Sequence, residues 1–187
     1  MPEIASRVAV FIDGSNLFFK LRSLEFNLLN LTKFDYRGLS KWLANDRLIV
    51  YCGYYVGAVR AKENDEKGQR LRQQQQKLFA HLASPEQDFM IKRGYLMENE
   101  GKYHEKGVDV QLAVDLLIHA YENLCDVAIL VSSDTDLIPA IQKVKHLGKK
   151  VEYIGFSHQP SYGLKRYASS SKFITKEELE PFSWKQS

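Results

Sequence analysis

The chain has 187 residues, 44% hydrophobic and 26% charged, which suits one domain with its own core and excludes wholesale disorder. Its 26 Lys and Arg against 23 Asp and Glu leave a formal charge of +3, too little for an architectural nucleic-acid binder. Two cysteines, no apolar run near ~20 residues and no signal-like start argue against a disulfide scaffold, a membrane span and a secretory leader, and for a reduced, cytoplasmic protein.

Residues 7–12 form a short apolar run closed by Asp13-Gly14-Ser15-Asn16, and their β-branched content predicts a buried strand of a parallel sheet. Residues 17–21 begin a helix. A second helix is predicted over 35–45, with Leu39, Trp42 and Leu43 at helical intervals and Asp35 as its cap. Val, Ile and Tyr over 47–59 read as the second strand. Residues 63–83 are polar and helix-prone, with a narrow stripe of Leu71, Leu78, Phe79 and Leu82, and Ser84-Pro85 ends them.

Residues 88–95 read as a third strand, followed by a polar loop holding Gly101 and Gly107. An amphipathic helix is predicted over 108–121, a fully apolar strand over 126–131, a helix over 136–147 stopped by Gly148, and a last strand over 151–154. Alternating strands and helices imply a single-domain α/β fold with a mainly parallel sheet and helices on both faces. The domain is expected over 7–156. The serine-rich tail, 157–187, is expected to pack on the domain or be partly mobile.

Ligands of open α/β sheets bind at the carboxyl ends of the strands. Two strands here end in acids: Ile12-Asp13-Gly14-Ser15-Asn16 and Val131-Ser132-Ser133-Asp134-Thr135-Asp136. Parallel strands bring Asp13, Asp134 and Asp136 to one edge, and Asp109 at a helix start is a fourth candidate. Carboxylates about 4 Å apart repel by roughly 4 kcal/mol per pair at an effective dielectric near 20. Protons or a cation must relieve that, and Mg²⁺, held by one or two carboxylates and several waters, is a natural occupant. Each acid also has a plainer reading: Asp13 in a strand-to-helix turn, Asp136 as a helix cap, Asp109 as a first-turn acid favoured by the helix dipole. Asp115 reads as a solvated helix-face acid, and Asp126 as a surface or capping residue.

Three segments, Phe11-Ile12-Asp13-Gly14-Ser15-Asn16-Leu17, Lys106-Gly107-Val108-Asp109-Val110-Gln111-Leu112-Ala113-Val114-Asp115 and Leu130-Val131-Ser132-Ser133-Asp134-Thr135-Asp136-Leu137, resemble in that order the NYN domain. This is the LabA-like branch of the PIN-like nuclease superfamily, and the resemblance runs from about Val8 to Gly155. It implies a Rossmann-like fold and an acidic site, dependent on Mg²⁺ or Mn²⁺, that cuts RNA. Carried over by position, Asp13, Asp109, Asp134 and Asp136 become metal ligands and catalytic acids. Asn16 becomes an orienting residue, and Ser132 or Ser133 a phosphate contact. The family commonly has Gly before the first acid of the last motif and Ser between its two acids, where this chain has Ser133 and Thr135.

Lys106 is a candidate phosphate contact, against the reading of a solvated lysine. Arg60, Lys62, Lys67, Arg70, Arg72 and Lys77 can track an RNA backbone, although interspersed acids also suit an ordinary wet helix. Tyr54, Tyr55, Tyr95 and Tyr103 are candidates for base stacking or for the core. His104 reads as incidental, and Cys52 and Cys125 as small core residues. The leading expectation is a metal-dependent ribonuclease; the alternative is a non-catalytic or weakly catalytic RNA-binding regulatory module of the same fold. A small-ester phosphohydrolase lacks an Asp-x-Asp nucleophile motif, and nucleotide binding lacks a phosphate-loop glycine motif. Homo-oligomerisation is left open.

Overall fold

Strand β1 (Arg7–Asp13) is apolar at every position from Val8 to Ile12 because it is covered on both faces. Val8, Val10 and Ile12 enter one core, and Ala9 and Phe11 enter the other. The structure, a computed structural model, describes residues 6–26, 28–59, 61, 64–99 and 102–183, with only the backbone described at 28–30, 95–99 and 102–106.

After β1 the chain runs through α1 (Gly14–Ser23), a 3₁₀ turn (Leu28–Lys33), α2 (Tyr36–Ala44), β2 (Leu48–Gly57), α3 (Glu66–Leu82), β3 (Met90–Asn99) and β4 (Lys102–Lys106). It continues with α4 (Val108–Tyr121), β5 (Val127–Val131), a 3₁₀ turn (Thr135–Leu137), α5 (Ile138–His146), β6 (Lys150–Phe156), α6 (Tyr162–Tyr167), β7 (Ser170–Ile174) and α7 (Lys176–Leu179). The sheet order is β4-β3-β2-β1-β5-β6-β7. Six strands are parallel, and β4 alone runs antiparallel, paired with the end of β3.

Helices α1, α2, α3 and α7 cover one face through Leu17, Leu21, Tyr36, Leu39, Leu82 and Leu179. Helices α4, α5 and α6 cover the other through Leu112, Leu116, Ile141, Val144 and Leu164. This is the α/β arrangement with helices on both faces expected from the alternating elements, and the Rossmann-like fold that the resemblance implies. Asp35 and Asp65 start α2 and α3 by accepting the N–H of Gly38 at 2.7 Å and of Gly68 at 2.9 Å.

Three local readings are corrected. The polar loop after residue 95 is instead a hairpin, because β3 runs on to Asn99 and pairs Tyr95 with Lys106. Its polar sequence carries no apolar alternation to mark a strand. The sheet also continues past Ile154: β6 reaches Phe156, and Ser170–Ile174 adds β7, an edge strand whose polar residues meet solvent. Asp136 does not cap α5. Asp134 caps the 3₁₀ turn before it, and α5 starts at Ile138 with Pro139 in its first turn. Among the described residues no helix is long and apolar enough to cross a membrane.

Candidate active site

The chain leaves β1 toward β2 on one side, while β5 lies on β1's other side, so the strand order reverses between β1 and β5. That is where a crevice opens at the carboxyl edge of such a sheet. The pairing of Ile12 with Val131 brings the two strand ends level.

Asp13 is 6% exposed and its carboxylate joins both ends. Oδ1 accepts the Asn16 N–H at 2.9 Å, capping α1, and Oδ2 accepts the Ser132 hydroxyl at 2.9 Å. Ser132 Oγ in turn accepts the Asp134 N–H at 3.1 Å, and Asp134 Oδ1 accepts the Asp136 N–H at 2.9 Å. A hydrogen-bonded relay therefore fixes Asp13 relative to Asp134 across 121 residues of sequence.

Asp109 reaches the same place from α4. Gly107 takes φ +83°, a left-handed turn open to glycine, and the helix begins at once, putting Asp109 in its first turn. Asp13, Asp109 and Asp134 line one cavity of about 400 Å³ together with Ser15, Asn16, Ser133, Val108 and Phe19. Two of its oxygens, Asn16 Oδ1 and Ser133 Oγ, are buried without a hydrogen-bond partner. A buried polar atom left so costs about 1–3 kcal/mol, which a bound polar or charged group would relieve.

The other candidates divide. Ser132 is 1% exposed and sits behind the cavity, holding Asp13 and Asp134 rather than facing a ligand. Asp136 is exposed and outside the lining. Arg70 is exposed on α3, 3.8 Å from Glu66 one turn away, and is likewise outside it. Arg60 and the side chain of Lys106 lie outside the described residues, as do those of Lys62, Tyr95, Tyr103 and His104. Tyr54 and Tyr55 are buried, so neither offers a face to a base. Burial also pushes both cysteine thiols above their usual range, as befits core residues.

Two features escaped the sequence reading. Phe19, 63% exposed, lines the cavity with its ring in solvent. Helical phase could have found it: Leu17 and Leu21 point into the core, so Phe19 between them points away. Asp115 is not solvated but 5% exposed, and helical phase places it with Val108, Leu112 and His119 on the buried side of α4. Its carboxylate accepts Tyr55 Oη–H at 2.8 Å and Gln111 Nε2–H at 2.8 Å, and Lys92 Nζ lies 3.4 Å away. Tyr55 pairs in register with Asp13 on one side and Lys92 on the other, so this network braces the same sheet edge. Burial, then the neighbouring Tyr51 and the Asp115 carboxylate, hold the Tyr55 hydroxyl far above its ordinary pKa, keeping it a neutral donor.

The family model of the NYN domain matches residues 7–177, nearly the whole chain and all three acidic segments. The chain belongs to the NYN domain family. NYN domains have a PIN-like nuclease fold, and the family generally comprises nucleases that use divalent metals and bind RNA. No curated protein matches the chain at a significant level. Among solved structures, a protein of unknown function from Vibrio parahaemolyticus is similar, at 20% identity and a TM-score of 0.64 over 98% of this chain and 99% of that one. That likeness establishes the fold alone.

The cavity's donors suit the divalent metal the family implies. They are all oxygens: three carboxylates, hydroxyls and the orphaned Asn16 Oδ1, the set that hard cations select. Among the described residues no group of three His, Cys, Asp or Glu forms a ready cage. Mg²⁺ needs none, since it keeps several waters and takes one or two carboxylates.

Proposed function

We propose that this NYN domain is a divalent-metal-dependent ribonuclease whose site is the cavity between the ends of β1 and β5. One observation carries the reading: Asp13, Asp109 and Asp134, from three distant segments, face one cavity that also contains two buried oxygens without partners. Asp13, Asp109 and Asp134 would hold the cation, and Asn16 Oδ1 and Ser133 Oγ would accept hydrogen bonds beside it. When bound, such a cation supplies a water of lowered pKa and offsets charge on the scissile phosphodiester. Ser132 aims the Asp13 carboxylate by donating to Oδ2. Asp136 fixes Asp134 through its N–H. Phe19 presents a ring to an unpaired base beside the scissile bond, which favours single-stranded over duplex RNA.

The test is cleavage of labelled single-stranded and duplex RNA in Mg²⁺, Mn²⁺ or chelator, by wild type and Asp13→Asn. Asparagine can still cap α1, so this variant keeps the fold while losing the charge. Chelator and Asp13→Asn should each remove cleavage. Equal cleavage by the variant overturns the assignment, and RNA binding without cleavage under any metal replaces it with the non-catalytic reading.

A further inference from the structure

Among the described residues Tyr162 is the most exposed large apolar side chain, at 73%. It opens α6, whose Leu164, two residues on, points into the core, so helical phase turns the Tyr162 ring to solvent. The ring stands beside the acidic cavity. Gly163 packs so tightly on the turn after β5 that a Cβ there would lie 3.0 Å from Thr135 Cγ2, and Thr135 follows Asp134. Along the carboxyl edge the order is α1 with Phe19, Asp13 at the end of β1, Asp134 after β5, then α6 with Tyr162 after β6.

The segment between β6 and α6 ties the helices of these two rings together. Lys20 Nζ donates to the Gln159 carbonyl at 3.1 Å and to Gln159 Oε1 at 2.9 Å, and the Ser23 hydroxyl and His158 Nε2 share a hydrogen bond of 2.6 Å. Tyr153 Oη accepts the Ser161 N–H at 2.9 Å, just before Tyr162. Both rings are therefore held in place ahead of any ligand. The charge on this flank has one sign. Helix α1 carries Lys20 and Arg22 and no acid, and residues 157–176 carry Lys165, Arg166, Lys172 and Lys176 and no acid. Lys165 and Arg166, both exposed, follow Tyr162 by three and four residues and so share its face of α6. They rest over the rings of Phe173 and Tyr167, whereas Arg70 on α3 faces Glu66.

From this we infer that single-stranded RNA crosses the carboxyl edge toward β6, with one unpaired base on Phe19, one beyond the acids on Tyr162, and the adjoining phosphates on Lys165 and Arg166. The inference rests on the reading of the cavity as an RNA site and adds its second base subsite. β1 and β6 lie two strand spacings, about 10 Å, apart, roughly three times the ~3.4 Å rise between stacked bases. Bases seated on both rings are therefore splayed, an arrangement that a duplex does not supply, and the backbone between them passes over the acids. An aromatic face accepts any base, so the track selects unpaired nucleotides on both sides of the cut and not a sequence. Helix α3, with Glu66 among its cations, lies off this track.

Fluorescence anisotropy of a labelled, unstructured single-stranded RNA tests it, in chelator so that metal-dependent cleavage is off. Tyr162→Ala should weaken binding about 10-fold, and Tyr162→Phe should bind like wild type because the ring remains. Lys165→Gln/Arg166→Gln should weaken binding and lower the slope of log Kd against log salt by about 1.4, as for two phosphates of a single strand. Arg70→Gln/Arg72→Gln on α3 should change Kd by no more than about twofold. Wild type should bind a duplex of the same sequence about 10-fold more weakly than the single strand. Unchanged binding by Tyr162→Ala, a larger loss from the α3 pair, equal affinity for duplex, or a wild type that binds no RNA each overturns the track. Binding in the expected pattern without cleavage in Mn²⁺ supports the track and removes only the nuclease reading.

Discussion

Strand β1 carries a charged residue at each end, and the two ends are built differently. At its start the Arg7 guanidinium donates to the Asp126 carboxylate at 2.9 and 3.1 Å and to the Asn123 carbonyl at 2.8 Å. Lys149 adds bonds to Asn123 and, at 3.5 Å, to Asp126. Arg7 and Lys149 there both meet the opposite charge of Asp126. At the far end, Asp13 gathers two donors while Asp109 and Asp134 converge on it, and Asn16 Oδ1 and Ser133 Oγ have no partner. Folding alone favours the first arrangement and penalises the second. Among the described residues the buried side-chain oxygens without a partner, Asn16 Oδ1 and Ser133 Oγ, lie at this end, and such retained polar capacity is what a binding site leaves in a structure.

If that contrast is functional, substitutions at the carboxyl edge should damage activity out of proportion to stability. Within the cluster the largest difference should separate two neighbours. Asp134→Asn should lower RNA cleavage by about 100-fold or more, whereas Asp136→Asn, outside the cavity and contributing only its backbone N–H, should stay within a few-fold. Cleavage rates at saturating metal measure both. Equal losses would mean that Asp136 turns into the site when metal or substrate binds.

A smaller effect is expected one bond back. Ser132→Ala removes the hydroxyl on Asp13 Oδ2 and the acceptor for the Asp134 N–H, without touching the cavity. Groups that orient metal ligands are worth about 10–100-fold, and the loss should appear as a raised metal requirement. Titration of activity with Mn²⁺ reads it. A loss that excess metal does not diminish would make Ser132 a purely structural residue.

How far the sequence reveals this asymmetry depends on the signal each residue carries. Asp13 and Asp134 are legible because each follows an apolar strand run, Asp13 at once and Asp134 after Ser132 and Ser133, and parallel pairing puts such ends on one edge. The layering of helices on both faces of a parallel sheet followed from the same runs alternating with helical segments. Strands β4 and β7 were not legible, since edge strands need bury no alternating face. Asp115 misled because a charged residue on a helix is usually solvated, and its three partners come from β2, β3 and its own helix. Phe19 was passed over for the opposite reason, as an aromatic that helical phase turns outward. Asp136 followed its motif but not its geometry.

The amino end supplies the smallest effect and the control. The Arg7 side chain and backbone N–H, then Lys149, hold the Asp126 carboxyl well below the ordinary carboxylate range. With its folded pKa below its unfolded one, Asp126 stabilises the fold fully above about pH 4 and loses that contribution as pH falls toward the folded pKa. The pair is partly exposed, at 33% and 40%, so solvent screens it and the contribution is small. Asp126→Asn should lower Tm at pH 7 by no more than about 2–4 °C, with the gap to wild type closing as the solution is acidified below pH 4. RNA cleavage should be unchanged, because Asp126 lies at the opposite end of the sheet from the cavity. A large loss of cleavage with little change in Tm would break the comparison, since it would give the fully paired end a part in the chemistry.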